Sequence, residues 1–223
     1  MDKVLEPVAK SPKLALYMAE LEKILVYEKQ QREQFYREMQ EGDKTEFING
    51  EIIMHSPVKN RHTSCGRRLV ILLGGYVQEY NLGFVGYETT LISLTRNDYE
   101  PDLYFFGNAK ASMFQPEQMI HPAPEFIVEI LSKSTEARDR GIKFEDYAAH
   151  SVQEYWLVDP EGGVLEQYLL QDGTYTLALK SADGHVASPV IEGLKLPIRA
   201  IFDDAVNIQT LQELLANKED EPV

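Results

Sequence analysis

A carboxylate stands inside an otherwise apolar run of this sequence. Residues 126–131 read Phe-Ile-Val-Glu-Ile-Leu, which is typical of a central strand buried on both faces, and Glu129 is the exception. Burying a carboxylate costs free energy unless a cation, a metal or several hydrogen-bond donors compensate it. Glu129 alone could be a strand-end residue, so its meaning depends on what else reaches the same place.

A second carboxylate, Asp102, follows Pro101 at the start of the β-rich run 102–106. If both strands join one sheet, Asp102 and Glu129 can converge on a cleft at the strand ends and share one hard cation through oxygen ligands. Two converging carboxylates outline a Mg²⁺ site. A Pro-Asp pair by itself is usually turn chemistry, so the order of the surrounding elements is the more specific signal.

The elements that must position these acids can be predicted from local patterns. Apolar residues recur near helical spacing over residues 14–39, which predicts one or two amphipathic helices. Asn49-Gly50 lies between two short β-rich segments within 46–53 and predicts a β-hairpin with a two-residue turn. Residues 61–80 predict the first core helix, and Ser134 can cap a second helix that runs to about His150.

Short β-rich runs account for the rest of the core. We expect neighbouring strands at 84–87, 89–94 and 102–106, with a turn at 96–98 before the last of them, and a C-terminal meander at 154–158, 165–170 and 175–179. The prediction is therefore one α/β domain with a central sheet. We divide the chain into an N-terminal helical arm (1–41), a core domain (42–206), and a short helix with an acidic tail (207–223).

Composition restricts the compartment. With 223 residues and 43% hydrophobic residues, the chain can bury a full core. The single cysteine, Cys65, cannot form an intramolecular disulfide, and no apolar run approaches membrane-spanning length. We expect a cytoplasmic protein that is not inserted in a membrane.

Several motifs between residues 45 and 160 together carry a resemblance to a known family. They are Glu46-Phe47-Ile48-Asn49-Gly50-Glu51-Ile52, Pro101-Asp102-Leu103, Pro124-Glu125-Phe126-Ile127-Val128-Glu129-Ile130-Leu131-Ser132, Asp139 with Lys143 and Tyr147, and Glu154-Tyr155-Trp156-Leu157-Val158-Asp159-Pro160. On these motifs the chain resembles a bacterial family of restriction-endonuclease-like proteins in the PD-(D/E)XK nuclease superfamily, formerly a domain of unknown function. The resemblance implies a restriction-endonuclease-like α/β fold, with a mixed sheet flanked by helices, an N-terminal β-hairpin and a C-terminal β-meander.

The chemistry implied by the resemblance is metal-dependent hydrolysis of DNA phosphodiester bonds. Asp102 and Glu129 would bind Mg²⁺ or Mn²⁺, which activates water and stabilises charge on the phosphate oxygens. The backbone carbonyl of Ile130 could add a ligand. Glu46, in the opening hairpin, could hold the metal directly or through water, although a glutamate at a hairpin edge is normally solvated.

One position departs from the superfamily pattern. The catalytic lysine normally stands two residues after the acid, where this chain has Leu131. Lys143 on the following helix is the best substitute, and its alternative is a solvated helix lysine. Tyr147 lies one turn beyond Lys143 and could hold it in place or contact substrate, and His62, near the start of the first core helix, could face substrate or simply lie on the surface.

Two readings of function remain. The first is a DNA endonuclease that acts as a homodimer or a higher homo-oligomer, because a double-strand break usually needs two single-site subunits. The second is a non-catalytic protein of the same fold that serves in assembly or partner binding. Intact Asp102 and Glu129 favour the first reading. A net charge of −14 disfavours nonspecific DNA binding, and together with Leu131 and the helical arm it favours the second.

Overall fold

A computed structural model of the chain describes residues 5–88 and 90–216. The acidic tail predicted within residues 217–223 lies outside the described residues. The helices are α1 (Leu5–Ala9), α2 (Leu14–Glu38), α3 (Asn60–Leu69), α4 (Gly75–Glu79), α5 (Asn108–Ala111), α6 (Glu136–Asp139), α7 (Ile142–Ala149) and α8 (Asp204–Ala216). The strands are β1 (Thr45–Ile48), β2 (Glu51–Met54), β3 (Gly83–Tyr87), β4 (Leu91–Ser93), β5 (Asp98–Tyr99), β6 (Leu103–Gly107), β7 (Ile120–His121), β8 (Phe126–Ile130), β9 (Glu154–Asp159), β10 (Val164–Gln171), β11 (Thr174–Ser181), β12 (His185–Ala187) and β13 (Lys195–Pro197).

The N-terminal hairpin is confirmed. β1 and β2 pair antiparallel, and Ile48 lies opposite Glu51 at the end of the ladder. The two turn residues, Asn49 and Gly50, have φ values of 52° and 86°. A two-residue turn that matches the twist of the strands needs positive φ at both positions, which Asn and Gly tolerate best.

A six-stranded mixed sheet forms the centre of the molecule, in the order β11-β10-β9-β8-β6-β3. β8 and β9 run parallel, with Glu129 opposite Leu157, whereas the other neighbours run antiparallel. The antiparallel β9-β10-β11 segment is the predicted C-terminal meander. The mixed sheet and its flanking helices give the α/β fold that the sequence predicts.

Side chains of β8 alternate between two hydrophobic clusters, as the two-residue period of a strand requires. Phe126, Val128 and Ile130 pack with residues of α3, α4 and α8 on one face of the sheet. Ile127 and Leu131 pack on the other face with Tyr147 and with residues of a second sheet. Glu129 shares this second face by its position in the strand, so it points toward α7.

The second sheet has five strands, in the order β2-β1-β5-β4-β7. This arrangement corrects the expected neighbourhood of β4, because β3 and β6 pair with each other while β4 pairs with β5 and β7. The expected turn at 96–98 is shorter than predicted, since Asp98 already belongs to β5. Thr89, which the predicted strand 89–94 included, lies outside the described residues.

Two predicted helices are interrupted. The first core helix continues from α3 into α4 through a wider π-helical turn at Val70–Gly74. The helix expected from Ser134 to His150 divides into α6 and α7 at Arg140 and Gly141. A Cβ atom at position 141 would lie 2.8 Å from the carbonyl oxygen of Ala137, so the close approach of backbone at this break requires glycine.

α2 is one continuous helix of 25 residues whose C-terminal half is anchored to the second sheet. Arg32 Nε donates to Asp98 Oδ2 at 2.6 Å, and its Nη2 donates to the backbone carbonyl oxygen of Leu94 at 2.7 Å. Tyr36 Oη also donates to the fully buried Asp98 carboxylate, at 2.8 Å. Among the described helices, α2 included, none is long and apolar enough to cross a membrane.

Replacement of Arg32 with alanine should destabilise the fold strongly. The substitution leaves the buried Asp98 carboxylate with Tyr36 but without its cation, and breaking a buried pair in this way costs about 3–5 kcal/mol. The free energy of unfolding from urea titration measures the loss. Arg37→Ala, which removes an exposed cation of the same helix, should change it by less than about 0.5 kcal/mol. Equal losses in the two variants would show that the ion pair does not anchor the arm.

Candidate active site

Lys143 and three carboxylates form a buried cluster between β8, β1 and α7. Lys143 is only 2% exposed, and its Nζ lies 2.7 Å from Glu46 Oε1, 2.9 Å from Glu129 Oε1 and 3.6 Å from Asp139 Oδ1. Asp139 ends α6 and Lys143 lies in the first turn of α7, so the break at Arg140 and Gly141 lies between them. The structure therefore brings Glu46, Glu129 and Lys143 together.

Glu46 is fully buried rather than solvated at the hairpin edge. Its Oε1 also accepts a hydrogen bond from the backbone N–H of Glu100 at 3.1 Å. Burial opposes its ionisation, but Lys143 and His55 outweigh that effect and lower the pKa of Glu46 to about 2. Burial likewise disfavours the ammonium of Lys143, yet Glu129, Glu46 and Asp139 hold its pKa well above the ordinary value. Glu46 and Lys143 are therefore an ionised pair.

Glu129 and Asp139 have the opposite tendency. Burial raises the pKa of Glu129 well above its ordinary value, and the nearby carboxylates of Asp139, Asp102 and Glu46 add to the increase despite Lys143. Burial also raises the pKa of Asp139. One ammonium cannot compensate every carboxylate around it, so these two acids retain protons more readily than free acids. An added cation would favour their ionisation.

Tyr147 contacts Glu129 rather than Lys143. Its hydroxyl donates to Glu129 Oε1 at 3.0 Å, and its side chain is fully buried. Tyr147 is not among the residues that line the adjoining cleft. The structure thus brings it to the predicted site but out of reach of a substrate in the cleft, because α7 packs its ring against the sheet.

Asp102 and His62 form a second pair at the edge of the same site. Asp102 Oδ2 accepts a hydrogen bond from the backbone N–H of Ile130 at 2.7 Å and lies 3.3 Å from His62 Nε2. Burial would raise the pKa of Asp102, but His62 and the Ile130 N–H more than offset it, so the pKa is lowered. His62 is itself buried, at 6% exposure, in the first turn of α3. Asp102 is therefore an ionised carboxylate held by two donors.

A cleft of about 620 Å³ opens over these residues. Asp102, Glu129, Lys143 and His62 line it, together with Asp139, whereas Glu46, Tyr147 and Ile130 do not. The backbone N–H of Ile130 donates a hydrogen bond to Asp102. The expected contribution of the Ile130 carbonyl to a metal site stays a prediction.

The donors in and behind the cleft are oxygen atoms that suit a hard cation. Buried oxygen atoms of Asp139 (Oδ1), Glu46 (Oε2) and Glu100 (Oε2) have no hydrogen-bond partner, although His55 Nε2 lies 3.1 Å from Glu46 Oε2 in a geometry that does not form a hydrogen bond. Within residues 5–88 and 90–216, no three His, Cys, Asp or Glu side chains are grouped so that they could hold a metal ion. The described side chains thus form no three-ligand metal cluster, and what fits Mg²⁺ is the type of donor, since this ion is often bound through one or two carboxylates and keeps several waters.

Three of these residues had no predicted role. No local sequence pattern marks His55 or Glu100 as a site residue, because each reaches the site only through its contact with Glu46. Such a pattern does mark Asp139, since an acid four residues before Lys143 on a helix predicts a contact between them.

Comparison with known proteins identifies a family and a similar solved structure. Residues 30–199 match the family Uma2, described as "Putative restriction endonuclease". A crystal structure from Anabaena variabilis, described as "a putative nuclease belonging to DUF820", is similar with a TM-score of 0.65 and 20% sequence identity. The similarity covers 76% of this chain and 96% of that chain, which supports a common fold. No curated protein matches the chain.

Replacement of Lys143 with methionine should destabilise the protein. Methionine keeps much of the volume but removes the ammonium from three buried carboxylates, and an uncompensated buried charge costs about 3–5 kcal/mol. The matched control is Lys133→Met, at an exposed lysine on the wall of the same cleft, for which we expect less than about 0.5 kcal/mol. Chemical denaturation at neutral pH measures both. Unchanged stability in Lys143→Met would contradict the compensating role of the ammonium.

Proposed function

The chain belongs to the Uma2 family of "putative restriction endonucleases", and on that premise we propose that it is a metal-dependent endonuclease that hydrolyses DNA phosphodiester bonds. The observation that carries the proposal is the cleft in which Glu129 and Lys143, 2.9 Å apart, lie beside Asp102. A mid-strand carboxylate, a second carboxylate and a lysine are the groups that this hydrolysis needs. Leu131 leaves the usual lysine position apolar, and Lys143 supplies an ammonium to the same carboxylate from α7.

Asp102 and Glu129 would hold the Mg²⁺ or Mn²⁺ ion. Asp139 lines the same cleft, and its buried Oδ1 lies 3.6 Å from the Lys143 ammonium but has no hydrogen-bond partner. Bound there, the metal would supply Lewis-acid stabilisation of the phosphate and a water of lowered pKa. Asp102 is the acid that is already ionised, since the Ile130 N–H and His62 stabilise its charge. Glu129 would ionise fully only when a cation compensates it.

The remaining residues would orient the attacking water or hold the metal ligands and Lys143 in place. Lys143 would orient the attacking water or stabilise charge on the phosphate, because its ammonium lies at the cleft wall beside Glu129. Glu46 fixes that ammonium from behind, and Tyr147 fixes Glu129 through its hydroxyl. His62 holds Asp102 and also lines the cleft, so it could contact substrate as well.

The charge of the cleft supports a polyanionic substrate better than the charge of the whole chain does. The chain has 22 Lys and Arg against 36 Asp and Glu. Six cations and seven acids line the cleft, and two of the acids are the proposed metal ligands Asp102 and Glu129. Besides Lys143, five cations line the cleft: Lys44, Lys59, Arg61, Lys133 and Arg138. Contacts between Lys or Arg side chains and phosphate groups supply most of the nonspecific affinity of proteins for DNA.

Nicking of supercoiled plasmid at low salt with Mg²⁺ or Mn²⁺ tests the proposal. We expect cleavage by the native protein and none with a chelator. Glu129→Gln, which preserves shape but removes the ligand charge, should lower the rate at least about a thousandfold, since a bound metal supplies several kcal/mol to the transition state. The control is Glu161→Gln, an exposed acid on the same cleft, which should keep the native rate.

Three results would contradict the proposal. They are absence of nicking by the folded native protein, cleavage that survives the chelator, and cleavage that survives Glu129→Gln. Absence of nicking, with folding verified by circular dichroism, would favour a non-catalytic role of the same fold in assembly or partner binding.

A further inference from the structure

The first half of α2 exposes a series of large apolar side chains. Nine of them are between 37% and 69% exposed: Leu14, Leu16, Tyr17, Met18, Leu21, Ile24, Leu25, Val26 and Tyr27. The first buried residue of this helix is Glu28, which pairs with Arg96. A contiguous apolar surface on a folded chain marks an interaction site far more often than a single exposed leucine does.

Six of these side chains lie on one face, which we name the arm stripe: Leu14, Tyr17, Met18, Leu21, Ile24 and Leu25. Their spacing of three and four residues continues through Glu28, Arg32 and Phe35, the residues through which the second half of α2 packs on the body. The stripe is therefore the same face of the same helix. In the second half that face is covered by the chain itself, and in the first half it is not.

The size of the stripe suits a dimer. Six side chains of this type, each about half exposed, present roughly 500 Å² of apolar surface, so that two copies would bury about 1,000 Å² together, the lower limit for a specific interface. A membrane is a poorer partner, because the polar residues between the apolar ones are Glu20, Glu22 and Lys23 rather than a cationic face. The stripe also precedes residue 30, where the family match begins, so it does not belong to the cleft described above.

We infer that the arm stripe binds the arm stripe of a second copy of this chain, with the two α2 helices antiparallel across a twofold axis near Met18 and Leu21. The orientation follows from the body. In a parallel pair, the second half of the partner helix would lie on the face of α2 that packs on the body, where the two would overlap. An antiparallel pair carries the partner's body past Leu14, to the end of α2 that α1 precedes, and places Leu14 opposite Leu25 of the partner. This inference does not depend on the nuclease proposal.

Sedimentation velocity of the full chain tests the association. At about 10 µM protomer, where a micromolar complex is mostly formed, we expect twice the chain mass of 25.5 kDa. Met18→Glu with Leu25→Glu places two charges on the stripe and should raise the dissociation constant at least about a hundredfold, which leaves single chains. The matched control is Ala15→Glu with Ala19→Glu, which adds the same charge to exposed positions on the opposite side of the same helix and should leave the dimer intact.

Single chains in the native protein, or a dimer that persists in Met18→Glu with Leu25→Glu, would overturn the inference. Circular dichroism and thermal melting of all variants verify that helix and core are retained, so loss of mass cannot reflect unfolding.

Disulfide trapping in a Cys65→Ala background tests the orientation. Leu14→Cys chains mixed with Leu25→Cys chains should form a mixed disulfide under mild oxidation. A disulfide formed by Leu14→Cys chains alone, or none in the mixture, would overturn the antiparallel pairing.

Discussion

The ammonium of Lys143 lies among the carboxylates of Glu46, Glu129 and Asp139 in a part of the protein from which water is largely excluded. Burying several carboxylates is tolerable only where a cation compensates them, and one lysine compensates fewer charges than the site contains. The cluster therefore contains fewer positive charges than carboxyl groups. That deficit is the physical basis of the divalent-cation site that we propose in the cleft.

The acids divide according to how each is compensated. Glu46 has the ammonium and a backbone N–H, and Asp102 has a backbone N–H and His62, so both favour the ionised form. Glu129 and Asp139 also lie near the Lys143 ammonium, but its single charge is already paired with Glu46. Burial therefore favours the protonated forms of Glu129 and Asp139. Titratable groups whose pKa values are shifted by burial and by neighbouring charges cluster at functional sites.

The site and the arm stripe depend on different parts of the chain. The cleft is built on β8, α3, α7 and the loop before β6, all within the family match. The stripe occupies the first half of α2, and the arm is joined to the body through Arg32 with Asp98 and Glu28 with Arg96. Association of two copies could thus change without altering the geometry of Glu129 and Lys143.

Local patterns in the sequence determined much of this molecule. Asn49-Gly50 predicted the hairpin, the β-rich runs predicted most strands, and the apolar run around Glu129 predicted a buried acid, because turn chemistry and strand periodicity act over a few residues. Tertiary structure decided the rest. Nothing local to Glu46 shows that it is buried against Lys143, and nothing local to β4 shows that it joins the second sheet. Tyr147 likewise gains Glu129 as its partner only when α7 packs on β8. Contacts between residues far apart in the chain depend on how the sheets and helices pack together. The residues next to each position in the sequence do not determine that packing.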